Sequence, residues 1–262
     1  MEMYNNNYFT SDSIKTSKIK YGFFSKEGGY SAGNYHSLNC NISSGDKEIL
    51  VKKNIDVAKK KLGFKNHIIK FLKQTHSDKV EIIDKNNLNM TTEADGSITK
   101  NKKIVLAIIT ADCAPIFIFD SNCSFICSLH IGWRGCLENI VKTAVYKIIK
   151  MNITTQNLIA IIGPCLSKVN FEVDENFHDI FISKNLQYKN FFSKRSKYQK
   201  IFFDIRSLIN FQLQKCSIKK IINIEIDTYS NKDLFFSHRK SFHNNSLPTG
   251  RMINLIGFRD TT

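Results

Sequence analysis

The sequence predicts a mixed α/β (α+β) fold in a single domain, flanked by helices, and three observations carry that prediction. Nearly continuous apolar runs of strand length recur at residues 104–109, 116–119, 125–130 and 158–162. Residues 137–151 instead place Ile140, Val141, Ala144, Val145 and Ile148 at helical spacing. The two kinds of segment intermix without a strict strand–helix–strand rhythm, which favours a mixed sheet over a doubly wound one.

The elements follow in chain order. Residues 1–18 read as an N-terminal tail and lead-in, polar around Asn5-Asn6-Asn7, and residues 19–262 as one domain. A strand at 20–24 leads into the turn Gly28-Gly29. Asp46 is suited to cap a helix over 47–62, with Ile49, Leu50, Ile55, Val57, Ala58 and Leu62 as its apolar positions and Gly63 as its stop. Short strands at 68–72 and 80–83 flank Gln74-Thr75-His76-Ser77. The buried strand at 158–162 ends in Gly163-Pro164-Cys165, amphipathic helices cover 174–182 and 204–216, and a strand covers 221–226.

Composition narrows the class. At 262 residues, 42% hydrophobic and 11% aromatic, the chain has ample material for a core. The net charge of +15 comes mostly from lysine, in runs such as Lys59-Lys60-Lys61. No nucleic-acid module accompanies it and the basic runs do not interleave with aromatics, so a solvated surface is expected, with some pull on anionic substrates. Seven cysteines without a CxxC pair, and an N-terminus without a signal-peptide apolar stretch, point to a reducing cytoplasm. The longest apolar stretch, 104–118, is broken by Thr110, Asp112 and Pro115 and is too short and polar to span a bilayer.

Three candidate ligands stand where strands give way to loops. They are His76, Cys113 in Thr110-Ala111-Asp112-Cys113-Ala114-Pro115, and His130 in Leu129-His130-Ile131-Gly132-Trp133-Arg134-Gly135. A thiolate with two neutral imidazoles is a zinc donor set, and three protein ligands leave a fourth position for water or substrate. The same donors accept copper, so they do not name the metal. Asp112 is placed to orient a histidine or to act as a base. A competing reading drops the metal and makes Cys113 a nucleophile with His130 or His76 as its base. Taken singly, each residue has a plainer explanation, as a core or surface histidine or a small buried thiol. Their shared position at strand ends is what groups them.

An anion site is expected beside them. An arginine next to glycine lets backbone amides and a planar guanidinium meet one phosphate or carboxylate, and this occurs at Gly132-Trp133-Arg134-Gly135 and Thr249-Gly250-Arg251. Arg134 also precedes the predicted helix, whose N-terminus favours an anion. Ser237-His238-Arg239-Lys240 is a further basic cluster.

These motifs, together with Gly22-Phe23-Phe24-Ser25-Lys26-Glu27-Gly28-Gly29, Ser37-Leu38-Asn39, Gly45-Asp46, Ala94-Asp95-Gly96 and Ile162-Gly163-Pro164, give the chain a resemblance from about residue 21 to 258. It resembles the laccase-domain or polyphenol oxidase-like family, also called the bacterial peptidoglycan editing factor family and described as purine nucleoside phosphorylases. The resemblance implies two packed mixed sheets with outer helices, and zinc, or else copper, on His76, Cys113 and His130. It implies phosphorolysis of adenosine, inosine or methylthioadenosine to free base and ribose 1-phosphate, with adenosine deamination as a side activity. His76, Asp112, Cys113, His130 and Arg134 would be catalytic, and Asn39, Arg134, Arg239 and Arg251 would bind substrate. Small-molecule nucleoside and phosphate would be the partners, with a monomer favoured and neither a membrane nor a specific nucleic acid expected. Hydrolytic editing of a mis-made cell-wall precursor and copper-dependent phenol oxidation are the alternative activities. A non-enzymatic polyanion binder with a structural metal would normally want a fourth protein ligand. The chain departs from the family pattern at Tyr21, Lys26, Asp227-Thr228 and Lys240, and in the longer spacer 241–248, all of which bear on substrate contacts.

Overall fold

The structure is a computed structural model that describes residues 2–5, 7–14, 18–195 and 200–259. Two six-stranded mixed sheets face each other, and a three-stranded sheet stands beside them. The first sheet runs in the order Glu2–Asn5, Tyr8–Ser11, Ile19–Phe24, Met252–Phe258, Ile104–Thr110, Ile68–Phe71, antiparallel except for the last pair. The second runs Lys220–Asn223, Leu158–Ile162, Ala114–Asp120, Ile126–Ile131, Gly96–Thr99, Val80–Ile82, with its two outermost pairs parallel.

The continuous apolar runs now have a physical cause: both faces of the central strands are covered. In Ala114–Asp120, Phe117 and Phe119 point into the space between the sheets, while Ile116 and Ile118 pack against the helices Ile140–Lys150 and Ile205–Lys215. In Ile104–Thr110, Leu106 and Ile108 face the second sheet, and Val105 and Ala107 meet the helix Glu48–Lys61. The layers are therefore helix, sheet, sheet, helix. The Phe23 and Phe117 rings stack across the middle with centroids 4.7 Å apart.

Several elements differ from their sequence-based expectation. Part of the N-terminal segment is sheet: Glu2–Asn5 and Tyr8–Ser11 form a hairpin on the edge of the first sheet, and Phe9 is buried in the inter-sheet core. Asn6, in the polar stretch expected there, lies outside the described residues. Asp46 does not cap the first long helix, whose N-cap is Lys47; its carboxylate accepts from Ser31 and Asn39 instead. That helix turns Val51, Asn54, Ile55 and Ala58 inward and leaves Ile49 exposed.

The helix expected over 137–151 is two helices, Trp133–Leu137 and Ile140–Lys150. Asn139, at φ 63°, breaks the run and caps the second helix by accepting from the Lys142 N–H. Asp174 and Asp204 do cap their helices, Glu175–Lys184 and Ile205–Lys215. Met252–Phe258, central in the first sheet, reads poorly by periodicity because Asn254 and Gly257 interrupt it. Gly257 is required there: a Cβ would lie 2.8 Å from both the Phe64 ring and Val105.

Truncating Phe117, which is fully buried, tests the shared core. Phe117→Ala is expected to cost about 3–5 kcal/mol in denaturant unfolding. A loss below about 1 kcal/mol would mean that the two sheets do not stand or fall together on this contact.

Candidate metal centre

The chain passes from one sheet to the other at Ala111-Asp112-Cys113, between the strands Ile104–Thr110 and Ala114–Asp120. That corner is tight enough to hold Asp112 at φ 87°, a left-handed backbone that only a firmly held non-glycine residue adopts. Cys113 follows at once. Strand pairing then brings His130 to it, because Ala114 is opposite Ile131 and Pro115 opposite His130. His76 arrives from a third direction, on the turn after Ile68–Phe71, the strand parallel to Ile104–Thr110. His76 is also left-handed, at φ 59°.

One ligand atom from each of His76, Cys113 and His130 lies within 4.8 Å of the others. His76 Nε2 lies 3.9 Å from Cys113 Sγ. His130 is buried, Cys113 half-buried and His76 exposed, so the group opens on the His76 side. Gly132 makes room for it: a Cβ there would lie 2.7 Å from His76 Cδ2 and 3.2 Å from Cys113 Sγ.

The residue that assembles the group is Asp95, fully buried at the start of the Gly96–Thr99 strand. Its carboxylate accepts from the backbone N–H of Thr75, His76 and Ser77 at 3.1, 3.0 and 2.6 Å, and from the Ser77 hydroxyl at 2.8 Å. It also accepts from His130 Nδ1 at 2.8 Å. Placing the proton on Nδ1 leaves Nε2 of His130 as the donor atom toward Cys113, the arrangement typical of a ligating histidine. Orienting a histidine, the role that adjacency suggested for Asp112, thus belongs to Asp95. Asp112 accepts instead from Thr228 Oγ1 and the Arg239 N–H, both at 2.7 Å, and so pins the C-terminal segment to the corner. The signal for Asp95 was the motif Ala94-Asp95-Gly96, to which the residues alone gave no role.

Charge reinforces the geometry. Burial would raise the Cys113 thiol, but the positive charge of His130 and hydrogen bonds from His130 and His76 overcome it and bring the thiol down to about 6. Burial would lower His130, yet the Cys113 thiolate and Asp95 push it up to about 9. Asp95 itself is desolvated, but His130 and the Ser77 donors hold it well below the usual carboxylate range.

The predicted anion side is less uniform. Arg134 lies inside the short helix Trp133–Leu137, exposed, with its guanidinium 4.4 Å from the Trp133 ring centre. Arg239 donates from Nη1 to the Glu172 carbonyl at 2.8 Å and lies over Phe171. Trp133 and Arg239 both line a cavity of about 800 Å³, with Phe171, Phe177, Lys200 and His243. The triad does not line this cavity but adjoins it, through Gly132 on one side and the Asp112–Arg239 bond on the other. Arg251 folds back on the Thr249 and Gly250 carbonyls, and its N–H donates to Asn39 Oδ1. Burial lowers Arg251, opposed by the nearby charges of Cys113 and Asp112. Asn39 is fully buried behind it, donating to Ser44 and Asp46. The cavity walls Phe171, Phe177 and His243 were not singled out in the sequence.

The donor set fits a transition-metal ion: one thiol poised to ionise, one imidazole with a fixed tautomer, and a second imidazole within reach. Among the described residues no fourth His, Cys, Asp or Glu joins the group, which leaves one coordination position without a protein ligand.

In the metal-free protein the thiol is depressed, so its stabilising charge is complete above its unfolded value of 9.0 and is lost as pH falls through about 6. The imidazole is raised, so its contribution is complete below 6.5 and is lost as pH rises through about 9. Both charges coexist between about 6 and about 9. Iodoacetamide labelling of Cys113 is therefore expected to show a midpoint near pH 6, while the buried Cys40, Cys127 and Cys136, whose thiols burial pushes up, stay unlabelled. A midpoint near 9 would remove the thiolate–imidazolium pair.

Among the described residues, no helix is long and apolar enough to cross a membrane. A purine nucleoside phosphorylase of Rickettsia prowazekii is 36% identical over 180 residues, which is 69% of this chain and 74% of that protein. One from Bacillus subtilis is 27% identical over 252 residues, covering 91% and 88%. A crystal structure of a Neisseria meningitidis protein superposes with a TM-score of 0.85 at 27% identity, covering 97% of this chain and 99% of that one. The YlmD protein of Geobacillus stearothermophilus shares the fold, with a TM-score of 0.87 at 22% identity over 98% of each chain. The family model described as multi-copper polyphenol oxidoreductase laccase matches residues 20–259, and the chain belongs to that laccase-domain family.

Proposed function

We propose that this protein is a zinc-dependent purine nucleoside phosphorylase acting on adenosine, inosine and methylthioadenosine, with adenosine deamination as a side activity. The observation that carries the reading is the His76–Cys113–His130 group with one position left over, next to a large cavity walled by aromatic and cationic side chains. Relatives named as purine nucleoside phosphorylases support it.

His76, Cys113 and His130 would hold the metal, which when bound supplies Lewis acidity beside the reacting groups. The chain's own residues account for the rest. Phe171, Phe177 and Trp133 offer planar apolar surface for a purine. Arg239 brings a guanidinium group to the same wall and Arg134 lies over Trp133 beside it, both suited to the phosphate that attacks the anomeric carbon. The glycosidic bond breaks as the phosphate oxygen bonds to that carbon, and the base departs with the bonding electrons and takes up a proton. Asp95 keeps the two histidines in place throughout. A relay of several copper ions for phenol oxidation would need further histidine clusters, and the described residues hold one such group.

Product analysis with adenosine, with and without phosphate, tests the proposal. Phosphate-dependent release of adenine is expected, abolished together with bound metal in Cys113→Ala while the fold is kept. Inosine formed without phosphate would make the protein a deaminase, and no turnover would favour hydrolysis of a cell-wall precursor. Arg134→Ala is expected to raise the KM for phosphate by about 10-fold or more, the worth of one charge-assisted hydrogen bond. Unchanged phosphate dependence in that variant would take Arg134 out of the role.

A further inference from the structure

Three segments distant in sequence must bring their donors to one point, and strand register sets only one of the spacings directly. Cys113 and His130 are tied through the Ala114–Asp120 and Ile126–Ile131 pairing. The His76 turn has no such tie, because Ile68–Phe71 pairs with its neighbour only as far as Phe71 opposite Ala107. Past that point the edge of Ile104–Thr110 would present a bare N–H and C=O to the loop.

Gln74, two residues before His76, takes the place of the departed strand. Its Nε2 donates to the Ile109 carbonyl at 2.9 Å, and its Oε1 accepts from the Ile109 N–H at 2.8 Å. A single side chain thus makes both bonds that a neighbouring strand would make. Ile109 is four residues before Cys113 and lies on the strand that runs straight into the corner. Asp95 ties the same turn to His130. The two clamps together locate His76 against each of its partners.

From this juxtaposition we infer that Gln74 is the positioning residue that sets His76 against Cys113, and that it thereby tunes the metal affinity of the site. The inference rests on the metal reading of the triad. The chemistry specifies the residue type. Glutamate keeps an acceptor for the Ile109 N–H but sets a carboxylate against the Ile109 carbonyl. Asparagine is one methylene too short to reach while the backbone stays in place. Leucine satisfies neither group. The left-handed backbone at His76 adds to the demand, since a turn held in that conformation relaxes when one anchor is released.

The test is titration of metal-stripped protein with zinc against a chromophoric chelator, with cobalt spectra as a second readout. Gln74→Glu and Gln74→Asn are expected to bind zinc about 10- to 100-fold more weakly than the wild type, the usual effect of losing a support behind a metal ligand. Their cobalt forms are expected to show altered thiolate-to-cobalt absorption. Leu213→Ala, at a fully buried position where the helix Ile205–Lys215 packs on the second sheet, supplies a destabilised protein with an undisturbed site. Wild-type zinc affinity in that variant, beside weakened affinity in both Gln74 variants, supports the inference, and the second Gln74 variant covers a failure of the first to fold. Wild-type affinity in a folded Gln74 variant overturns it, as does an equal loss in Leu213→Ala. A wild-type protein that binds no zinc would instead overturn the metal reading, and this inference with it.

Discussion

The buried carboxylate of Asp95 is the constraint on which the site depends. A charge with no exposed surface must be compensated by donors, and Asp95 collects them from three consecutive backbone N–H groups, a hydroxyl and an imidazole. Those donors belong to two segments with no strand pairing to each other, so satisfying the carboxylate is the same event as bringing His76 to His130. The backbone adds a further link, since the His130 N–H donates to the Asp95 carbonyl at 2.7 Å. Replacing the carboxylate by an apolar group would leave three N–H groups without their acceptor, which is costlier than the loss of one favourable contact.

The second requirement is the passage between sheets. Because Ile104–Thr110 and Ala114–Asp120 lie in different sheets, the short link between them must reverse the chain and change layer at once. The result is a left-handed Asp112, held by Thr228 and by the backbone of Arg239. Cys113 therefore stands at the boundary between the inter-sheet core and solvent. Its position explains how a thiol can be desolvated and still ionise: a raised imidazole faces it from the same layer boundary. Cys40, Cys127 and Cys136, buried with thiols that burial pushes up, behave as small apolar side chains.

Much of this was legible in the residues. Apolar runs identified the central strands, and the stops after them marked His76, Cys113 and His130 as candidates, which the structure brings together. Aspartates at 174 and 204 marked helix starts where the cap is local chemistry. What stayed hidden depends on contacts between distant residues. Asp46 looked like a cap but is drawn into a network with Ser31 and Asn39. The strand Met252–Phe258 is disguised by Asn254, whose amide bonds to Ile108 and Thr110, and by Gly257, which yields to the Phe64 ring. Asp95 and Asp112 are both acidic neighbours of site residues, and sequence adjacency pointed to Asp112, whereas the sheet order puts Asp95 behind His130. Asn39 stood out through its motif, yet it is enclosed and acts on Arg251 through the backbone N–H.

The excess of positive charge separates from the chemistry on the same physical grounds. The sequence has six arginines among its 38 basic residues, and three of them, Arg134, Arg239 and Arg251, occur in the segments that surround the triad. Their guanidinium groups lie over Trp133, over Phe171, or on backbone carbonyls, a directional fork that a flexible ammonium does not supply. Lysines, by contrast, form exposed pairs such as Lys52 with Glu48, Lys73 with Glu93 and Lys184 with Glu138, where solvent and salt screen the attraction. Lys70 is the exception that fits the rule: it is buried, and its ammonium donates to the Asn87, Leu88 and Met90 carbonyls, tying down the loop that leads back toward Asp95. Lys70 is thus enclosed and held by three carbonyls, whereas the paired lysines stand in solvent.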